Sequence, residues 1–97
     1  MSYLFHPAAE TEHLESVAFY ESKQPGLGAA YLAEFETVMK RVCEGPHRFP
    51  IEEEPDLRRI LMNRFPFTVL YREKDGVVQV LAVAHQRRRP QYWLGRL

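Results

Sequence analysis

The stretch that most limits the fold is Phe67–Ala84. Phe67, Val69 and Tyr71 alternate with Thr68, Leu70 and Arg72, which is the two-residue period of a strand. Glu73-Lys74-Asp75-Gly76 follows, and Asp-Gly suits the positive φ angles of a tight hairpin turn. Val77–Ala84 is then apolar at every position except Gln79. A strand with no polar alternation belongs in the middle of a sheet, covered on both faces. The rest of the chain has to supply that cover.

Before the hairpin the chain is helical. Tyr3-Leu4-Phe5 reads as a short edge strand ended by His6-Pro7, and proline suits the first position of a helix, where its missing N–H costs nothing. A first helix is expected over Pro7–Ser22. Glu10 and Glu12 complement its dipole, and Leu14, Val17 and Ala18, with Glu21 beyond, form its stripe. Lys23-Gln24-Pro25-Gly26 is turn chemistry. A second helix runs from Leu27 or Gly28 to Glu44. Tyr31, Phe35, Val38 and Val42 lie on its apolar face, Leu32 and Met39 widen that face, and Glu34, Glu36 and Lys40 face water. Gly45 and Pro46 end it. The two helices should form an antiparallel hairpin over one face of the sheet.

Three prolines in the ten residues from Pro46 argue for a loop without regular structure up to Asp56, its acids solvated. Leu57–Arg64 reads as a strand broken by Pro66, and Pro90–Trp93 as one helical turn. The expected fold is α+β in the order βααβββ: an antiparallel helix hairpin on a small, mostly antiparallel, four-stranded sheet. Nothing in the chain identifies what covers the second face of that sheet.

Composition removes several function classes. Ninety-seven residues make one domain, 1–97. No apolar run approaches the ~20 residues of a membrane span. The start, MSYLFHPAAE, lacks the basic and apolar regions of a signal peptide, so a cytoplasmic protein is expected, with no membrane partner. Cys43 is the only cysteine and reads as a small core residue. No histidine is spaced to join the acidic run in holding a metal, and neither a metal nor a cofactor is expected. Charge is divided unevenly. Residues 1–57 carry four Lys/Arg against eleven Asp/Glu, and residues 58–97 carry nine against two. Either the halves neutralise each other within the fold, or the second half offers a basic surface to an acidic partner or a nucleic acid.

Several short elements combine in a telling order: Pro7, Pro25-Gly26-Leu27-Gly28, Arg48-Phe49-Pro50, Arg58-Arg59, Arg64-Phe65-Pro66-Phe67, Val69-Leu70-Tyr71-Arg72, and Ala82-Val83-Ala84-His85 with Arg87, Arg88, Pro90 and Trp93. Together they resemble the RelE/ParE superfamily of small bacterial toxins from type II toxin–antitoxin systems. The likeness spans almost the whole chain and is nearest to the ParE branch, the plasmid-stabilisation proteins. It implies a toxin held inactive by a cognate antitoxin, which would supply the DNA contacts. The implied target is DNA gyrase for ParE-like members, or alternatively the ribosome and its mRNA for RelE-like endoribonucleases.

Cutting RNA without a metal needs a base, an acid and cations at the developing charge. Under the resemblance, Arg59 corresponds to one of the RelE lysines and Arg87 to the arginine after the last strand. The middle-strand arginine falls on Thr68, and the C-terminal tyrosine on Trp93, which cannot exchange a proton. Tyr92 stands one residue away. His85 is an alternative acid/base, or a histidine hydrogen-bonded at a strand end. Arg59, His85, Arg87 and Tyr92 are therefore the candidate catalytic residues of an incomplete set. Arg87-Arg88-Arg89 suits phosphate or carboxylate, extended by Arg58, Arg59 and Arg64, or else is a solvated exit from the sheet. The expected target-binding set is Arg58, Arg59, Arg64, Arg87, Arg88 and Trp93, with Arg87 the first to mutate. Tyr92 and Trp93 are expected to pin the tail to the core, and His6, His13 and His47 to lie on the surface.

Overall fold

The computed structural model describes all residues 1–97. The chain runs β1 (Ser2–Phe5), α1 (Pro7–Lys23), α2 (Leu27–Glu44), β2 (Ile51–Glu53), β3 (Leu57–Leu61), β4 (Phe67–Lys74) and β5 (Val77–His85), and closes with a 3-10 turn at Leu94–Arg96. The sheet order is β1-β5-β4-β3-β2. β1 lies parallel to β5 and every other pair is antiparallel. The sheet has five strands rather than the expected four. Pro50 and Pro55 flank β2 instead of interrupting it, and an edge strand needs partners on one side only.

The hairpin forms as its sequence dictates. Asp75 and Gly76 take φ angles of 54° and 78°, the left-handed pair of a two-residue turn. The strand after β2 ends at Leu61 rather than Arg64. The Glu34 carboxylate of α2 accepts the Asn63 N–H at 2.7 Å and the Arg64 N–H at 3.0 Å, which bends the chain away from the sheet. Glu34 is thus a cap for that bend and not simply a solvated residue.

Both faces of the β4–β5 hairpin are covered. On one face Val69, Tyr71, Val78, Val80 and Val83 meet Tyr31, Phe35, Val38, Met39 and Val42 of α2. On the other, Leu57, Leu70, Leu81 and Ala82 are closed over by Trp93 of the tail. A bulge between Leu70 and Tyr71 puts both Leu81 and Ala82 on this second face.

The helices cross closely at Gly28. A Cβ there would stand 2.7 Å from the Val17 carbonyl oxygen and 2.9 Å from Glu21 Cβ. The Glu21 carboxylate of α1 caps α2, accepting the N–H groups of Gly26 and Gly28. This is why the Pro25-Gly26-Leu27-Gly28 loop gives a tight helix pair.

The inward stripe of α1 differs from the expected one. Leu14 and Ala18 are exposed, whereas Ala9 and His13 are buried and Val17 and Tyr20 half-buried. His13 is therefore a core residue and not a surface one. Its ring lies 4.3 Å from that of Phe35 and 5.1 Å from that of Phe5, and its Nδ1 has no hydrogen-bond partner. Burial lowers its pKa, against weaker opposing pulls from Glu36 and Glu10.

Two tests follow from the packing. Gly28→Ala should destabilise the protein by about 1–3 kcal/mol in urea unfolding, because the clash is with backbone and outweighs the helix propensity gained. For His13, folding favours the neutral imidazole, so stability present above its ordinary pKa of 6.5 drains away as pH falls below that value. Between pH 7 and 5 the melting temperature of the wild type should fall further than that of His13→Phe.

Candidate functional site

The second face of the sheet carries a groove of about 450 Å³. Arg59 and Thr68 enter it from β3 and β4, His85 from the end of β5, and Arg88, Arg89 and Trp93 from the tail. Trp93 is buried and forms floor rather than rim. A smaller cavity of about 310 Å³ opens on the other side of the tail, between α1 and β5, with Phe19, Tyr20 and Val83 in its wall. His85 and Arg88 line both, so they form the ridge between the two.

The arginines expected to make one basic patch are dispersed. Strand alternation sends Arg58 and Arg59 to opposite faces. Arg58 donates to the carbonyls of His47 at 3.2 Å and Phe49 at 2.8 Å, holding the segment after α2. Arg59 reaches the groove but also donates to Ile51 O at 3.1 Å and pairs with Glu52 at 3.3 Å. Arg64 lies elsewhere, in a groove between α2 and the end of β3. Arg87 is exposed and lines neither cavity beside the tail. Its backbone N–H donates to His85 Nδ1 at 3.0 Å, which leaves Nε2 to carry the proton of a neutral imidazole. Arg88 and Arg89 are the cations of the triplet that face the groove.

Tyr92 does not present its hydroxyl to the groove. It donates to Glu12 Oε2 at 2.7 Å, on the α1 side. Burial and the Glu12 carboxylate push its phenol well above the ordinary value, against the pull of Arg88 and Arg96. Its proton is committed, and it is a weaker acid than a free tyrosine.

The sequence offers Glu12 only as a complement to the α1 dipole and does not single out Arg96. The Glu12 carboxylate accepts from Val83 N–H at 3.0 Å, Arg96 Nη1 at 3.0 Å and Arg96 Nη2 at 2.9 Å, besides Tyr92. Arg96 Nη1 also donates to Leu81 O at 3.1 Å. The ion pair is well shielded, with 17% of the Arg96 side chain and 11% of the Glu12 side chain exposed. Burial alone would raise the Glu12 pKa, but the hydrogen bonds from Arg96, Tyr92 and Val83 outweigh it and the net shift is downward. No local pattern signals this contact, because Glu12 and Arg96 are 84 residues apart.

A sequence model described as the ParE toxin of type II toxin–antitoxin system, parDE, matches residues 3–90. The chain belongs to this ParE toxin family. A solved structure from the chromosomal ParDE TA system from P. aeruginosa superposes with a TM-score of 0.61 at 18% identity, over 88% of this chain and 95% of that one. That likeness is one of fold. No curated protein sequence matches. The ParE family match spans the helix hairpin, the sheet and the ridge residues His85 and Arg88, and stops before Tyr92, Trp93 and Arg96. No helix is long and apolar enough to cross a membrane.

The depressed Glu12 pKa has a definite sign. Its contribution to stability is full above the ordinary carboxylate value of 4.5 and is lost as pH falls through the lower folded-state value. Glu12→Gln should therefore cost about 2–3 kcal/mol at pH 7. In paired thermal melts, the gap between variant and wild type should close progressively below pH 4.5.

Proposed function

We propose that this chain is the toxin of a type II toxin–antitoxin pair, that it inhibits DNA gyrase in the bacterial cytoplasm, and that a cognate antitoxin neutralises it. Operator DNA is contacted through the antitoxin alone. The observation that carries the reading is the ParE toxin match over residues 3–90. The chemistry of the groove supports it. Arg88 and Arg89 offer cations suited to carboxylate on a protein surface, and Arg59 stands across from them, partly engaged by Glu52. Arg58 is occupied with carbonyls and is a structural residue in this reading, and Arg64 and Arg87 lie outside the groove.

A ribosome-dependent endoribonuclease would need a proton donor within reach of a phosphate in the groove. The Tyr92 hydroxyl is held by Glu12, Trp93 is buried, and Thr68 occupies the middle strand without a charge. His85 is left as the one imidazole lining the groove. The gyrase reading does not require such a donor.

In a supercoiling assay, purified toxin should inhibit gyrase or trap cleaved DNA, and antitoxin from the adjoining gene should relieve it. Arg88→Ala should raise the half-inhibitory concentration about tenfold, whereas Arg87→Ala should have a smaller effect. Unimpaired supercoiling at toxin excess, together with codon-specific cleavage in ribosome toeprinting, would replace this reading with the nuclease one.

A further inference from the structure

Beyond Gln86 the tail is tied to the rest of the protein at few points. Its remaining backbone hydrogen bonds are local: Arg88 N to His85 O, Tyr92 N to Arg89 O, Leu94 N to Gln91 O, Arg96 N to Trp93 O and Leu97 N to Leu94 O. Two kinds of contact reach outward. The Trp93 indole is buried against the sheet, and the side chains of Tyr92 and Arg96 make polar contacts, both converging on Glu12 and Arg96 also donating to Leu81 O.

Burial of Trp93 packs the tail onto the sheet. The polar set adds direction. Arg96 meets both oxygens of Glu12 as a fork, a geometry that tolerates little rotation. The Tyr92 hydroxyl takes Glu12 Oε2, which sets the orientation of its ring. Two guanidinium groups lie over that ring, Arg88 4.0 Å and Arg96 5.1 Å from its centroid. Arg88 is left on the ridge where both cavities meet. Shielded ion pairs contribute little net stability compared with apolar packing of the same volume, so orientation is the property to look for.

We infer that Glu12, Tyr92 and Arg96 are positioning residues that hold Arg88 on the ridge between the two cavities, in the orientation the toxin uses against its target. The inference rests on the proposed toxin reading for its functional half, because it takes the Arg88 ridge as target-facing. Its structural half is independent of that reading.

The test has two arms. In 15N relaxation measurements, the Arg88 Nε–H should be rigid in the wild type and mobile in Arg96→Ala. Trp93 is the only tryptophan, and its fluorescence should keep the emission of a buried indole in that variant, showing the tail still seated. In growth-arrest titrations, Arg96→Ala and Arg88→Ala should each lose about tenfold in potency. The double variant should lose no more than either single one, because both act through the same guanidinium. Arg96→Lys should recover part of the loss. Should Arg96→Ala melt near the assay temperature, Tyr92→Phe carries the test, since it removes only the hydroxyl.

Unchanged Arg88 mobility, additive losses, or a shift of Trp93 emission to that of exposed indole would each overturn the inference. The last would reduce the clamp to a fastening for the tail. Growth arrest without gyrase inhibition would sink the proposed target and leave the positioning role standing. Absence of arrest in the wild type would sink the toxin reading and the functional half with it, while the relaxation arm still decides whether the clamp orders Arg88.

Discussion

β1 is four residues long and β5 is nine, so β1 can pair only with Val77–Val80. The outer edge of β5 beyond that point would expose backbone donors and acceptors, which is costly when buried and hazardous when open. Side chains take the place of a strand. Glu12 accepts the Val83 N–H, Arg96 donates to Leu81 O, and the two are paired with each other. One carboxylate thereby joins α1, the second half of β5 and the C-terminal turn. From the same tail, Trp93 reaches over the second face and covers Leu70, Leu81 and Ala82. The apolar run that dominates the sequence can then sit in the centre of the sheet with neither face wet.

How much of this is legible in the sequence follows the range of the interactions. The hairpin turn depends on Asp75 and Gly76 alone, and the helix ends on Pro7, Gly26 and Gly45, so each could be read within a few residues. The rotation of α1 could not. Leu14 and Ala18 look like a core stripe, but the close approach of Val17 to Gly28 turns them outward and turns Ala9 and His13 inward. β2 was hidden because proline content is a poor guide at a sheet edge, where one side of the strand needs no partner. The cover on the second face was hidden because it comes from a single tryptophan in a tail with no periodicity.

The candidate site shows the same division. That His85 and the arginines after it leave the core together follows from the end of an apolar strand and is readable locally. Their grouping was not readable from adjacency. Arg58 and Arg59 are neighbours in sequence and face apart on β3, while Arg88 shares a groove with Arg59 across the sheet. Along the tail, the difference between Arg87 and Arg88 is set by the turn, in which the Arg87 N–H is taken by His85 and the Arg88 guanidinium stacks on Tyr92. That stacking exists because Tyr92 is held by Glu12, a contact spanning 80 residues.

The uneven charge distribution can now be traced to particular partners. Mutual neutralisation of the two halves accounts for two of the C-terminal arginines: Arg96 pairs with Glu12, and Arg59 with Glu52. The acids elsewhere in the first half are engaged differently. Glu21 and Glu34 accept backbone N–H groups, capping α2 and the bend after β3. In the second half, Arg58 is spent on carbonyls and Arg72 on Gln79. Arg87, Arg88 and Arg89 form no ion pair within the chain. Three positive charges of the second half therefore stand together at the exit of β5 without an acidic partner. Three unpaired guanidinium groups at one strand exit give that surface the electrostatics to attract an acidic partner. The one guanidinium of the three held over an aromatic ring is Arg88, on the ridge between the two cavities.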